Sequence, residues 1–242
     1  MNKNSSLYTF IYSSVMVILV AAALAFTNGA LKERQTKNGD IDKMSQILRS
    51  VKIEANASNA ERLYNETIQN VYLIDHTGAI LESDPRAAFA VDIAKEVGKD
   101  VSERKLPVYE AQVDGARKFI LPVYGAGLWG PIWGYIALNE DKKTVFAASF
   151  SHQGETPGLG AEIDTPAFQQ QFEGKSMFRE NAFTSIAVVK SGHKADGKDA
   201  VDAISGGTIT SQGLEAMLLN SIGAYNTFLT SNSTESNQHE NQ

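Results

Sequence analysis

Residues 7–26 read Leu-Tyr-Thr-Phe-Ile-Tyr-Ser-Ser-Val-Met-Val-Ile-Leu-Val-Ala-Ala-Ala-Leu-Ala-Phe, without one charged side chain. No other stretch restricts what this chain can fold into so strongly. About twenty apolar residues in a helix match the hydrocarbon thickness of a bilayer, and in lipid a helix pairs its own backbone groups. Tyr8 and Tyr12 lie near one edge of the run, where interfacial aromatics are common. The rival reading is a cleaved secretory signal, because Ala23-Leu24-Ala25 resembles a cleavage site. The run is longer than a usual signal's apolar region and only Lys3 precedes it. Residues 1–35 are therefore read as a retained anchor helix with its flank. Lys32, Arg34 and Lys37 follow the span. The positive-inside rule would put that side in the cytoplasm, but long domains cross largely regardless of local charge.

Beyond the anchor, enough chain remains of the 242 residues, 43% of them hydrophobic, to bury the core of one main domain at 36–230. The formal net charge of −6 argues against a nucleic-acid partner, which needs basic surface for phosphate contacts. With no cysteine, the chain supplies no disulfide, thiolate metal site, iron–sulfur ligation or cysteine nucleophile. After a polar linker at Asn38-Gly39-Asp40, Ile41, Met44, Ile47, Leu48 and Val51 mark an amphipathic helix. Ser58-Asn-Ala-Glu61 reads as a capping box for a second helix that buries Leu63, Tyr64 and Ile68. Strands are expected at 71–75, 79–81, 106–113, 118–123, 132–138, 144–149 and 186–189, with turns at His76-Thr-Gly78 and Asp114-Gly115. A short helix is expected near 90–97, and another at Thr165-Pro166, with proline in its first turn and Phe168 and Phe172 facing inward. Antiparallel strands with helices in separate runs indicate an α+β domain, a sheet with packed helices. Residues 231–242 have no apolar period and read as a flexible tail.

Three stretches carry chemistry. The first is Asp202-Ala-Ile-Ser205-Gly206-Gly207-Thr208-Ile-Thr210-Ser211, a hydroxyl- and glycine-rich loop. Behind it Leu214, Met217, Leu218, Ser221, Ile222, Tyr225 and Leu229 form one stripe of an amphipathic helix. A helix N-terminus with free N–H groups suits a phosphate, and paired glycines allow close approach. Ordinary capping residues explain the same composition. The second stretch is Tyr124-Gly-Ala-Gly127-Leu128-Trp129-Gly130-Pro131. It is too rich in Gly and Pro for a strand interior, so it is either a hairpin loop folding Trp129 and Trp133 into the core or an apolar wall for a ligand. In the third, Gly154-Glu155-Thr156-Pro157-Gly158-Leu159-Gly160-Ala161-Glu162-Ile163, a metal or acid–base pair of His152 with Glu155 is disfavoured. Pro157 and the glycines oppose the helix that would align the two, and no third ligand has suitable spacing.

Asp-x-x-Ser-Gly-Gly-Thr resembles the Asp-x-x-(Ser/Thr)-Gly-Ala-Thr signature of proteins in which a flavin transferase esterifies FMN onto the last threonine. Gly207 stands where that signature has Ala, a change that adds flexibility rather than bulk. The stretches at 154–163 and 127–129 are similar to further signatures of one family, the C subunits of the Na+-translocating NADH:quinone reductases, and the likeness runs from the apolar segment to the last helix. It implies FMN held by a phosphoester to Thr208, which is an anchor and not a catalyst. Ser205, Gly206 and Gly207 would shape the phosphate end, and Thr210 would also border the cofactor. Leu128, Trp129 and Leu159 would wall the ring, and Glu155 and Thr156 would bond ribityl hydroxyls. It also implies a single-pass protein of the cytoplasmic membrane with its domain in the periplasm, relaying electrons among membrane, flavin and iron–sulfur subunits. NADH and ion sites would belong to those partners, because this chain has no dinucleotide fingerprint after a strand and no second span. Two other readings stay open: the flavin subunit of the related ferredoxin:NAD+ reductase complex, and an anchored binding module without cofactor.

Overall fold

The computed structural model describes residues 6–231. Helix α1 runs unbroken from Ser6 to Arg49, through the boundary between two compact units, Met1–Lys43 and Met44–Gln242. The linker expected at Asn38-Gly39-Asp40 is absent, and these residues stay helical. One glycine costs a helix only about 1 kcal/mol relative to alanine. Propagation from both sides outweighs that cost, with no proline to stop it. Within α1 an 18-residue window reaches a mean hydropathy of 2.2. Its Leu7, Phe10, Val17, Ile18, Leu24 and Phe26 are all more than half exposed, so this part of the helix is long and apolar enough to cross a membrane.

The far end of α1 stops at a position the residue types do not advertise. Lys52 takes a left-handed φ of 64°, its N–H donates to the Arg49 carbonyl at 2.9 Å, and the Ile53 N–H reaches Leu48 O at 3.0 Å. That is the paired closure of a Schellman motif, built with lysine where glycine is usual. Helix α2 (Ala60–Thr67) follows, with Asn59 at its N-cap and no side-chain cap bond. The capping box at 58–61 does not form. Asn56 takes its place, accepting from the Ser58 hydroxyl at 2.6 Å and donating its N–H to Asn59 Oδ1 at 2.8 Å. Ile68, expected on that helix, instead opens strand β1 (Ile68–Ile74), where a β-branched side chain is better accommodated.

After β1 come β2 (Ile80–Glu82), the short helices α3 (Pro85–Phe89) and α4 (Ile93–Val97), and the strands β3 (Leu106–Val113), β4 (Ala116–Ala126), β5 (Pro131–Leu138) and β6 (Val145–His152). The single helix expected at 90–97 is thus two. The strands form an antiparallel sheet in the order β2-β1-β3-β4-β5-β6. Alternation sorts its side chains to two faces. Val108, Phe119, Leu121, Ile136 and Leu138 enter one core, whereas Tyr109, Ile120 and Ala137 enter the other, with Ile47 and Leu48 of α1 and Tyr64 of α2.

The remaining elements cover the first of these faces. They are α5 (Pro166–Gln169), the two-residue strands β7 (Phe178–Arg179) and β8 (Ala182–Phe183), a parallel pair β9 (Ala187–Val189) and β10 (Ala200–Asp202), then α6 (Thr208–Gly223) and α7 (Asn226–Thr230). The architecture is α+β, as expected. The strands β7, β8 and β10 are too short for a period to reveal. The last helix breaks after Gly223, yet Leu214, Met217, Leu218, Ile222, Tyr225 and Leu229 are all buried, so the stripe is right although the helix is not continuous. Of the tail, only Ser231 falls among the described residues; 232–242 lie outside them.

Candidate functional site

The site is built where α6 meets the ends of β4 and β6. β3 leaves β4 beyond the pair Tyr109–Ile120, and α6 takes over that flank. Its Ser221 hydroxyl accepts from the Tyr124 N–H at 3.2 Å and bonds Tyr124 O at 3.3 Å. Close approach depends on Gly213, where an added Cβ would stand 2.1 Å from the Ala126 carbonyl oxygen. This contact fixes the first turn of α6 beside the loop after β4.

That first turn begins earlier than the sequence suggests. Thr208 is the first residue of α6 and Gly207 its N-cap, so Thr208, Thr210 and Ser211 are helical rather than part of the preceding loop. The loop closes as a turn over 204–207, with the Gly207 N–H on Ile204 O at 3.0 Å and Gly206 at φ 75°. A positive φ at the third position is what a type II turn demands and glycine supplies. The Ser211 hydroxyl accepts from the Ile204 N–H at 3.1 Å and ties loop to helix. The Ser211 hydroxyl is thereby taken up and does not compete for local backbone groups.

The hydroxyls consequently differ in availability. Thr210 is 1% exposed and its Oγ1 donates to Glu155 Oε2 at 2.6 Å. Ser211 is also buried. Ser205 and Thr208 are exposed. Thr208 stands at the mouth of two cavities, of about 210 Å3 and about 550 Å3. The smaller is walled by Leu128, Trp129, Leu159 and Ile209, which are 48%, 69%, 41% and 53% exposed. Trp129 does not fold into the core; Trp133 does so in part, donating its indole N–H to Gln46 at 2.9 Å. Thr156, Gly206 and Gly207 complete the rim, and Glu155 and Thr210 the floor. Ser205 borders only the larger cavity, with Lys190, Ser191 and Gln212. Sequence reasoning missed Ile209, Gly160 and this second cavity. Ile209 carries a weak signal, an apolar residue off the buried stripe. The cavity carries none, because Lys190 and Gln212 meet only in the folded chain.

The third stretch forms a tight loop. Thr156 O accepts from the N–H groups of Leu159 (3.0 Å) and Ala161 (3.2 Å), and the Gly158 N–H donates to Glu162 at 3.0 Å. His152 Nδ1 accepts the Glu155 N–H at 3.1 Å; among the described residues no group of three ligating side chains converges on a metal position. At the end of the following turn, burial raises the Asp164 carboxyl above its usual range, while Arg49, 3.5 Å away, and His152 pull it down.

The residues fit a flavin nucleotide. An open apolar shelf with a large aromatic suits a planar ring. Beside it the N–H groups of the first turn of α6 have no helical acceptors, the arrangement that suits an anion such as phosphate.

The comparisons with known proteins converge on this region. Residues 127–223 match the FMN-binding domain family. Over 222 residues the chain is 32% identical to the C subunit of the Na(+)-translocating NADH-quinone reductase of Vibrio parahaemolyticus, covering 84% of each protein. The chain belongs to the family of these C subunits. Its fold is theirs. The crystal structure of the C subunit from Parabacteroides distasonis is 49% identical and superimposes with a TM-score of 0.78 over 84% of this chain and 98% of that one. Shewanella oneidensis NqrC superimposes at 0.65 with 25% identity, over 79% and 97%. As a member of this family, the chain is a component of an oxidoreductase complex rather than a self-contained enzyme.

Proposed function

We propose that this chain is the membrane-anchored flavoprotein subunit of a Na+-translocating NADH:quinone reductase and carries FMN as a phosphoester on Thr208. One observation carries the reading: of the hydroxyls in the first turn of α6, Thr208 alone is exposed and borders both cavities, whereas those of Thr210 and Ser211 are buried and bonded. Thr208 Oγ anchors the nucleotide and takes no part in electron transfer. The free N–H groups of Thr208, Ile209 and Thr210 stabilise the phosphate charge. Leu128, Trp129, Leu159 and Ile209 shield one part of the ring from water, and the exposed Thr156 hydroxyl is free to bond the ribityl chain. When bound, the flavin accepts and passes on electrons, and the protein sets its position, access and potential. A covalent tether also keeps the cofactor from being lost outside the cytoplasm.

The apolar part of α1 anchors the chain in the cytoplasmic membrane, with the domain on the periplasmic side. NADH oxidation, quinone reduction and the ion path fall to partner membrane, flavin and iron–sulfur subunits, and a flavin transferase loads the cofactor. The Vibrio relatives are components of quinone reductases, which favours that complex over the ferredoxin:NAD+ reductase.

Intact-mass spectrometry of the full chain, co-expressed with a flavin transferase, tests the attachment. The wild type should gain one FMN phosphoryl group, and Thr208→Ala should gain none while folding normally, since an exposed hydroxyl adds little to stability. Flavin retained covalently by Thr208→Ala would reject the assignment. A colourless wild type would favour the cofactor-free module.

A further inference from the structure

Glu155 is 4% exposed, yet both its carboxylate oxygens are already engaged by protein. Oε1 accepts the Trp129 backbone N–H at 2.8 Å and Oε2 accepts the Thr210 hydroxyl at 2.6 Å. Two glycines make room for it: a Cβ on Gly127 would stand 2.5 Å from Oε1, and one on Gly160 2.3 Å from Oε2. One side chain thus joins the loop that carries the ring wall, its own loop, and the helical turn that carries Thr208. A buried carboxylate is costly unless hydrogen-bonded, and the bonds that satisfy it here are the ones that fix the site.

We infer that Glu155 is a positioning residue: it does not bind the ribityl chain, but clamps Trp129 to the third residue of α6 so that the ring shelf and the Thr208 hydroxyl are set for the same flavin. This rests on the attachment proposed above and replaces the direct ribityl contact that the sequence resemblance implied for Glu155. Thr210 acquires the same role, acting through Glu155 although its own hydroxyl is buried. The geometry also separates shape from charge. In Glu155→Gln the amide oxygen still accepts from the Trp129 N–H, and the amide NH2 donates to Thr210 Oγ1, which can rotate to accept. Both links survive while the charge is lost.

Two measurements on the full-length chain test this. In the flavin-free Thr208→Ala background, hydrogen exchange of the Trp129 amide should accelerate about tenfold or more in Glu155→Ala, the scale of one lost charge-assisted bond, and Glu155→Gln should restore most of the protection. In the Thr208 background, the rate of FMN attachment by the transferase should fall about tenfold in Glu155→Ala and also in Thr210→Val. The double variant should be no slower than either single one, because both break one unit. Glu155→Gln should recover most of the rate. The inference is overturned if Glu155→Ala leaves the Trp129 amide protected, if Thr210→Val attaches flavin at the wild-type rate, or if Glu155→Gln is as slow as Glu155→Ala while the amide stays protected. That last pattern would assign the carboxylate's charge, or a direct contact, instead of a clamp. A wild-type chain that takes up no flavin would refute the attachment alone, because the amide exchange still reads the clamp.

Discussion

Trp129 and Thr210 lie on either side of one carboxylate and show how residue type and residue role part company. A tryptophan is expected inside and a threonine near a helix start is expected on the surface, but here the indole is 69% exposed and the threonine 1%. On the proposed function, the indole is left out because it forms part of the flavin shelf. Trp129→Ala should therefore keep covalent FMN, since the backbone N–H to Glu155 remains, while exposing the ring to water. Solvation favours charged over neutral redox forms, so the midpoint potential should move. For a one-electron couple about 59 mV corresponds to a tenfold change in equilibrium constant, and redox titration should find a shift of that order. An unchanged potential with unchanged flavin fluorescence would make Trp129 an ordinary surface residue.

Among the elements, α6 does most to assemble the site, and two glycines set its placement. Gly206 at φ 75° turns the chain into the helix. Gly206→Val should block flavin attachment while the shelf of Leu128 and Trp129 stays formed, because a β-branched residue resists that conformation. Gly213→Val acts differently: its side chain would collide with the Ala126 carbonyl, lifting α6 from β4 at a cost of about 1–3 kcal/mol. Denaturant unfolding should show the loss in Gly213→Val to exceed that in Gly206→Val. The loop after β6 offers a pH test. Burial raises the Asp164 carboxyl pKa in the folded state, so the folded chain binds the proton more tightly than the unfolded chain. That contribution is complete below the unfolded pKa and is lost as pH rises through the folded one. Asp164→Asn lacks this loss, so its stability relative to wild type should improve from acid to neutral pH. A flat difference would show that Arg49 offsets the burial in full.

For the whole molecule, the proposed function gives the apolar part of α1 and the domain separate jobs. Every residue lining the smaller cavity lies between Leu128 and Thr210, and the compact unit that holds them begins at Met44. Removal of residues 1–29 should give a soluble protein that still accepts FMN, whereas the full chain should partition with membranes. A mature N-terminus starting at Phe26 would make the segment a cleaved signal instead.

The apolar run, the period-2 strands around Asp114-Gly115 and the buried stripe of α6 were legible directly, because each is a local pattern repeated over many residues. The candidate residues came into view through the resemblance of the ordered motifs to one family, since their local chemistry alone reads equally as ordinary capping and loop residues. Other features had no local signature. The continuity of α1 through Gly39 reflects cooperative propagation, and its end at Lys52 rests on backbone bonds that glycine usually accompanies. The parallel pairing of β9 with β10 was not legible, because β10 is too short to show a period. Above all, the motif resemblance singles out Thr208, but residue chemistry by itself does not separate Ser205, Thr208, Thr210 and Ser211. Only the folded chain buries two of them and leaves Thr208 open to both cavities, because Thr210 is bonded to Glu155, 55 residues away, and Ser211 to the turn at Ile204.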